Sequence, residues 1–160
     1  MITQEYENKL MALVQQYPTA VLKAWAIEWD RHIQNNFTTA GNGTWKKKYI
    51  DDGRAILTGK TGLLKGTTTV EPDFNSMALV AGNSVSYGEI HQTGGKIPVT
   101  AKMREYFYEQ FKITKNDKWK RLAQMKKNYI TIPARPYITI DDALLNNFFK
   151  SAEYLLKKYS

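Results

Sequence analysis

The chain has 160 residues, 42% apolar and 24% charged, the make-up of one globular domain long enough to bury a core without staples. It has no cysteine, which excludes disulfides, thiolate metal sites and a thiol nucleophile. Its net charge of +8 favours anionic partners without choosing between nucleic acid, a membrane surface and an acidic protein face.

The chain starts Met1-Ile2-Thr3-Gln4-Glu5-Tyr6-Glu7, without the basic start and apolar run of a signal peptide. No stretch is apolar enough to span a membrane. The expectation is a protein used in cytosol, or in a particle assembled there. Residues 3–17 read as a helix capped by Thr3, with Tyr6, Leu10, Leu13, Val14 and Tyr17 on one stripe. Pro18 kinks or restarts the chain. A second helix over 19–36 sets Leu22, Trp25, Ala26, Trp29, Ile33 and Phe37 at core-facing spacing. The two pieces join as one long bent helix if the proline sits in a first turn.

Gly41-Asn42-Gly43 marks a loop, and residues 55–64 a turn between two short apolar clusters. Residues 65–71 and 77–81 predict a β-hairpin across the loop 72–76. One helical turn over 85–92 ends at Thr93-Gly94-Gly95. Residues 101–112 and 116–127 predict two basic helices, and Tyr129-Ile130-Thr131-Ile132 a strand. Asp141 caps a last helix whose apolar side includes Leu144, Leu145, Phe148, Phe149, Leu155 and Leu156. Strands that do not alternate regularly with helices predict an α+β fold. It is a small antiparallel sheet packed by long N-terminal and C-terminal helices in one domain, 1–160, with an inserted basic helical pair over 101–128.

Catalytic patterns do not converge. His32 reads as a partly exposed helix residue and His91 as a satisfied residue at an element end. Ser84 and Ser86 lie near His91, but no G-x-S-x-G elbow is present. The adjacent pairs Asp51-Asp52 and Asp141-Asp142 point apart on regular structure, which disfavours a metal. Gly59-Lys60-Thr61 lacks the phosphate-loop glycine five residues upstream, where Arg54 stands. No cofactor is implied. The basic segment offers Lys102, Arg104, Lys112, Lys115, Lys118, Lys120, Arg121, Lys126 and Lys127. Interleaved with Tyr106, Phe107, Tyr108 and Trp119, these residues fit a nucleic-acid site. The helical spacing of the aromatics favours instead a pair of amphipathic helices with packed rings and solvated lysines; a face steering an acidic protein would use the same charges.

Two further elements carry the most information: Tyr87-Gly88-Glu89-Ile90-His91-Gln92-Thr93-Gly94 and Ile132-Pro133-Ala134-Arg135-Pro136-Tyr137-Ile138. With the aromatic N-terminal helix, Trp45, Leu57-Thr58-Gly59-Lys60-Thr61-Gly62-Leu63-Leu64 and the hairpin before them, the series resembles the phage virion morphogenesis family, the Mu-like and P2-like tail-completion proteins. Tyr87, His91, Gln92 and Gly94 match that family's Y-A-x-I-H-Q-x-G element. Pro133, Arg135 and Pro136 match its P-A-R-P-F element. Gly88 stands where alanine is usual and Tyr137 where phenylalanine is usual, and the basic helices look like an insertion that only some members carry.

The resemblance implies a structural, non-enzymatic subunit for tail completion or head–tail joining. It would act as a ring-like homo-oligomer that docks on other tail or connector proteins. Its place would be the virion, assembled in the bacterial host cytoplasm. The alternative is a nucleic-acid-binding protein using residues 102–127. On physical grounds Pro133 and Pro136 stiffen the backbone around Arg135, whose fork suits carbonyls or a carboxylate. The expectation is that the two elements meet and pin the sheet to the last helix. The alternative is an exposed Arg135 facing a neighbouring subunit.

Overall fold

A computed structural model describes residues 4–159, with side chains described for 16–158. The expected Thr3 cap and the stripe of Tyr6, Leu10, Leu13 and Val14 lie outside the described residues and side chains. The fold is α+β. The first helix, α1 (Gln4–Thr39), runs without a break through Pro18. A mid-helix proline loses one backbone hydrogen bond and costs about 3 kcal/mol. Packing against the last helix, α6 (Asp142–Tyr159), opposes that cost. Val21, Leu22 and Ala26 are buried, and the Tyr17 hydroxyl donates to Ala152 O at 3.0 Å. Trp25 donates from Nε1 to Phe148 O at 2.8 Å and stacks on the Phe148 ring, centroids 5.0 Å apart.

After α1 the chain turns through Gly41 and Gly43, both at positive φ, and lays Trp45 on the helix end. A short helix α2 (Leu63–Thr67) leads into β1 (Thr69–Asp73) and β2 (Ala78–Gly82). These strands form an antiparallel hairpin, with Glu71 opposite Val80, but its first strand is shifted from the expected 65–71: residues 65–67 belong to α2, and Pro72 and Asp73, expected in the loop, pair with Leu79 and Ala78. Val70 and Ala81 pack on the buried cluster of Ile33, Phe37, Trp45, Leu64 and Tyr137. Aromatic geometry organises that cluster: Phe37 meets Trp45 edge-on at 6.0 Å and Tyr137 at 5.1 Å.

The expected single sheet is divided into two two-stranded ladders. Helix α3 (Gly88–Thr93) ends at Gly94, whose φ of 77° and bond from N to Ile90 O close the turn. The chain then enters β3 (Gly95–Pro98), which pairs antiparallel with β4 (Tyr129–Ile132). Between them stand α4 (Ala101–Thr114) and α5 (Asp117–Ala123), capped by Thr100 and Asn116. Asp141 caps α6 as expected, accepting from Leu144 N at 2.9 Å. No helix of the described residues is long and apolar enough to cross a membrane.

Asn36 is a buried polar residue on α1, and its Nδ2 donates to Tyr137 O at 3.1 Å and Thr139 Oγ1 at 3.0 Å. Asn36→Ala strips both acceptors of a donor in the core. Urea denaturation should show a loss of about 2–3 kcal/mol; an unchanged midpoint would mean that neither acceptor depends on Asn36.

Candidate functional site

The two elements singled out in the sequence meet. The Arg135 amide donates to His91 O at 2.8 Å, and Gly95 pairs with Ile132. The approach is close: a Cβ on Gly94 would lie 2.8 Å from Ala134 N. Gln92 makes the tightest link. Its Oε1 accepts from the amides of Tyr137 and Ile138 at 3.0 and 3.1 Å, and its Nε2 donates to Ile138 O at 2.8 Å. One side-chain amide thus does for residues 137–138 what a neighbouring strand would do.

Arg135 is 7% exposed, which overturns the alternative of an exposed guanidinium facing a neighbouring subunit. Its Nε donates to Lys46 O at 2.9 Å and its Nη2 to Lys47 O at 3.3 Å. What it pins is therefore the segment after α1, and the expected link from Arg135 to the last helix is corrected. No described carboxylate lies within ion-pair distance of it, and burial lowers its pKa. The anchorage to α1 comes from elsewhere. Trp45 Nε1 donates to Pro136 O at 3.1 Å and Trp29 Nε1 to Thr139 O at 2.9 Å. His32 Nε2 lies 3.0 Å from Thr139 Oγ1 and 3.5 Å from Asp141 Oδ2, so the partly exposed residue of the sequence reading has partners.

His91 departs from the sequence reading. Its Nδ1 is buried with no hydrogen-bond partner; the ring meets Tyr87 edge-on at 5.9 Å. Its pKa is lowered, first by burial and then by the Arg135 charge. The neutral imidazole fits this place and the cation does not.

The two positions that differ from the resembled pattern also meet, at Asn83. Asn83 Nδ2 donates to the Tyr137 hydroxyl at 2.5 Å, and its Oδ1 accepts from Val85 N at 3.1 Å. The same amide occupies the space that a Cβ on Gly88 would need. Tyrosine at 137 therefore goes with a polar partner at 83, and that partner goes with glycine at 88. Asn83 was not singled out in the sequence; its one signal is the Asn-Ser pair after a strand, an Asx-turn composition.

The basic residues have varied employment. Arg104 donates to Ala123 O, Met125 O and Lys127 O, at 3.1, 2.7 and 3.3 Å, and so ties α4 to the end of α5. Lys112 pairs with Glu109 and lies over the Tyr108 ring at 4.9 Å. Lys120 lies over Phe111 and Lys118 over Tyr49. Lys115 takes the left-handed cap of α4. Lys102, Arg121, Lys126 and Lys127 stay exposed. Phe107 is buried, and Trp119 packs on it and on Tyr106, but Tyr106, Tyr108 and Tyr129 stay exposed, the last beneath Lys96 and Lys127. Tyr106 and Tyr108 on α4 still offer rings on which a base could stack.

Among the described residues no group of three or more His, Asp or Glu side chains could hold a metal ion. Asp52 is held by Lys48 and Arg54, which lower its pKa. Comparison with protein-family models, with curated proteins and with solved structures gives no match.

Two outcomes are expected. Gly88→Ala drives the Asn83 amide from its place and should cost about 1–3 kcal/mol. Adding Asn83→Ala removes the collision, so in a urea double-mutant cycle the pair should cost less than the sum of the singles; strict additivity would refute the link. For His91 the folded pKa is below its usual 6.5, so the unfolded chain takes up the proton first. Stability is then complete above that value and erodes as the pH falls below it. Urea midpoints should decline from about pH 7 to about pH 5.5, and less so in His91→Gln. Equal slopes would remove His91 as the cause.

Proposed function

We propose that the chain is a non-enzymatic subunit of phage virion assembly, acting at tail completion or the head–tail joint. It would work by self-association and by docking on other tail or connector proteins, in the virion and in the host cytoplasm where the virion is built. The observation that carries this reading is the use made of the two family-like elements. The Gln92 and Arg135 side chains bond backbone groups of residues 137–138 and of the segment after α1, and the Arg135 amide bonds the His91 carbonyl; in a reaction centre such side chains would face a substrate. Residues spent on holding a chain in one shape fit a part whose job is its shape.

Surface for self-association is present on α6. Leu145, Phe149 and Leu156 share a helical stripe and are 40%, 70% and 46% exposed. They adjoin the face that packs on α1, so a neighbour seated there would extend an existing apolar layer. A ring built from head-to-tail contacts would press this stripe on a different patch of the next copy.

Light scattering followed by electron microscopy should find rings, or particles capping tail ends. Phe149→Glu should shift the larger species toward monomer with an unchanged melting temperature. A strict monomer that fails to attach to tails but binds DNA with steep salt dependence would overturn the reading.

A further inference from the structure

A groove of about 740 Å³ runs between β4, the basic helical pair and the segment after α1. Its floor is apolar, with Ile97, Met103, Phe107, Leu122, Ile130 and Ile132. Its charged lining residues are Lys46, Lys47, Arg121, Lys127 and Arg135, with no Asp or Glu among them. One of these, Arg135, is the buried guanidinium without a carboxylate partner. An uncompensated cation in a poorly solvated place gains from any anion that reaches it.

The wall made by β4 is unusual. Five consecutive residues, 129–133, line the groove. Alternate residues of a strand point to opposite faces, so a groove touching all of them follows the strand's edge. That edge is free, because β4 pairs with β3 alone. The bond from Val99 N to Asn128 O fixes the alternation: 128, 130 and 132 turn their backbone groups toward β3. Tyr129 and Thr131 turn theirs outward, and no described group bonds them. Pro98, which has no amide hydrogen, stands opposite Tyr129, a pair that needs no bond.

We propose that this groove takes an extended, acidic segment of a partner protein, added as a strand to the free edge of β4. Main-chain bonds to Tyr129 and Thr131 supply register. Alternate apolar side chains enter the floor, and carboxylates meet Arg121, Lys127 and the Arg135 guanidinium. A peptide suits this wall better than nucleic acid, which has no amide row to match a strand edge. The proposal stands on the groove alone and does not depend on the virion reading.

The probe is a fluorescent peptide in which glutamate alternates with valine. Polarisation should show binding that falls about tenfold or more in Arg121→Glu/Lys47→Glu, with melting unchanged. The same peptide methylated on alternate amides should lose affinity similarly, and amide exchange by NMR should slow at Tyr129 and Thr131 when the peptide is bound. Absent binding, an unaffected methylated peptide, or unchanged exchange at those two amides would each overturn the proposal. So would tighter binding of an oligothymidylate of equal length, which would make the groove a nucleic-acid site. Loss of self-association in the same charge-reversal variant would overturn it too, by making a second copy the occupant.

Discussion

The structure depends on how the peptide groups of residues 135–139 are satisfied. This segment follows β4 and contains Pro136, with Pro133 just ahead, so it cannot continue a ladder. Its carbonyls and amides lie against the core, where an unpaired group costs about 1–3 kcal/mol. Side chains supply the missing strand. Gln92 serves the amides of Tyr137 and Ile138, Asn36 the Tyr137 carbonyl, Trp45 the Pro136 carbonyl and Trp29 the Thr139 carbonyl. These side chains come from α1, α3 and the loop after α1, so one irregular stretch fixes three elements at once. Two indoles suit the task because each carries a single donor on a large apolar body.

Around this segment the variable and invariant needs of the motif separate. Gln92 and the arginine serve backbone groups, which every sequence has. Tyr137 and Gly88 serve each other through Asn83. A phenylalanine at 137 would leave Asn83 without its partner, and an alanine at 88 would leave Asn83 without its room. The two departures from the resembled pattern are thus one adjustment made in three places, with Asn83 the residue that motif comparison overlooks.

Much of this was legible in the sequence, and the failures have physical causes. Periodicity gave α1 through Trp25, Trp29 and Ile33, the two basic helices, and α6 with its Asp141 cap. Composition gave the hairpin and β4. The strand β3 was missed because Gly95-Lys96-Ile97-Pro98 holds one branched residue between two breakers; its partner β4 defines it, not its own propensity. The partners of Arg135 were missed because they are the carbonyls of Lys46 and Lys47, and a carbonyl leaves no trace in a sequence. His32 is partly buried, in keeping with its reading as partly exposed; its partners Thr139 and Asp141 were not foreseen because they lie over a hundred positions away. The splitting of the expected sheet has the same origin: strand order belongs to tertiary contacts, and α1 and α6 bury their apolar faces chiefly on each other.

The bonds from α1 to the residues near Thr139 span 101 to 110 positions. As the chain emerges from a ribosome, α1 comes early and the acceptors for Trp29 and Asn36 come in the last quarter. Closing such a loop is slow, and it is entropy lost before the contacts reward it. Until then the apolar face of α1 has neither α6 nor residue 137 to cover it. The longest helix is therefore synthesised before the elements that cover it and is among the last to be buried, a stretch of time in which a nascent chain of this kind depends on being shielded from its neighbours.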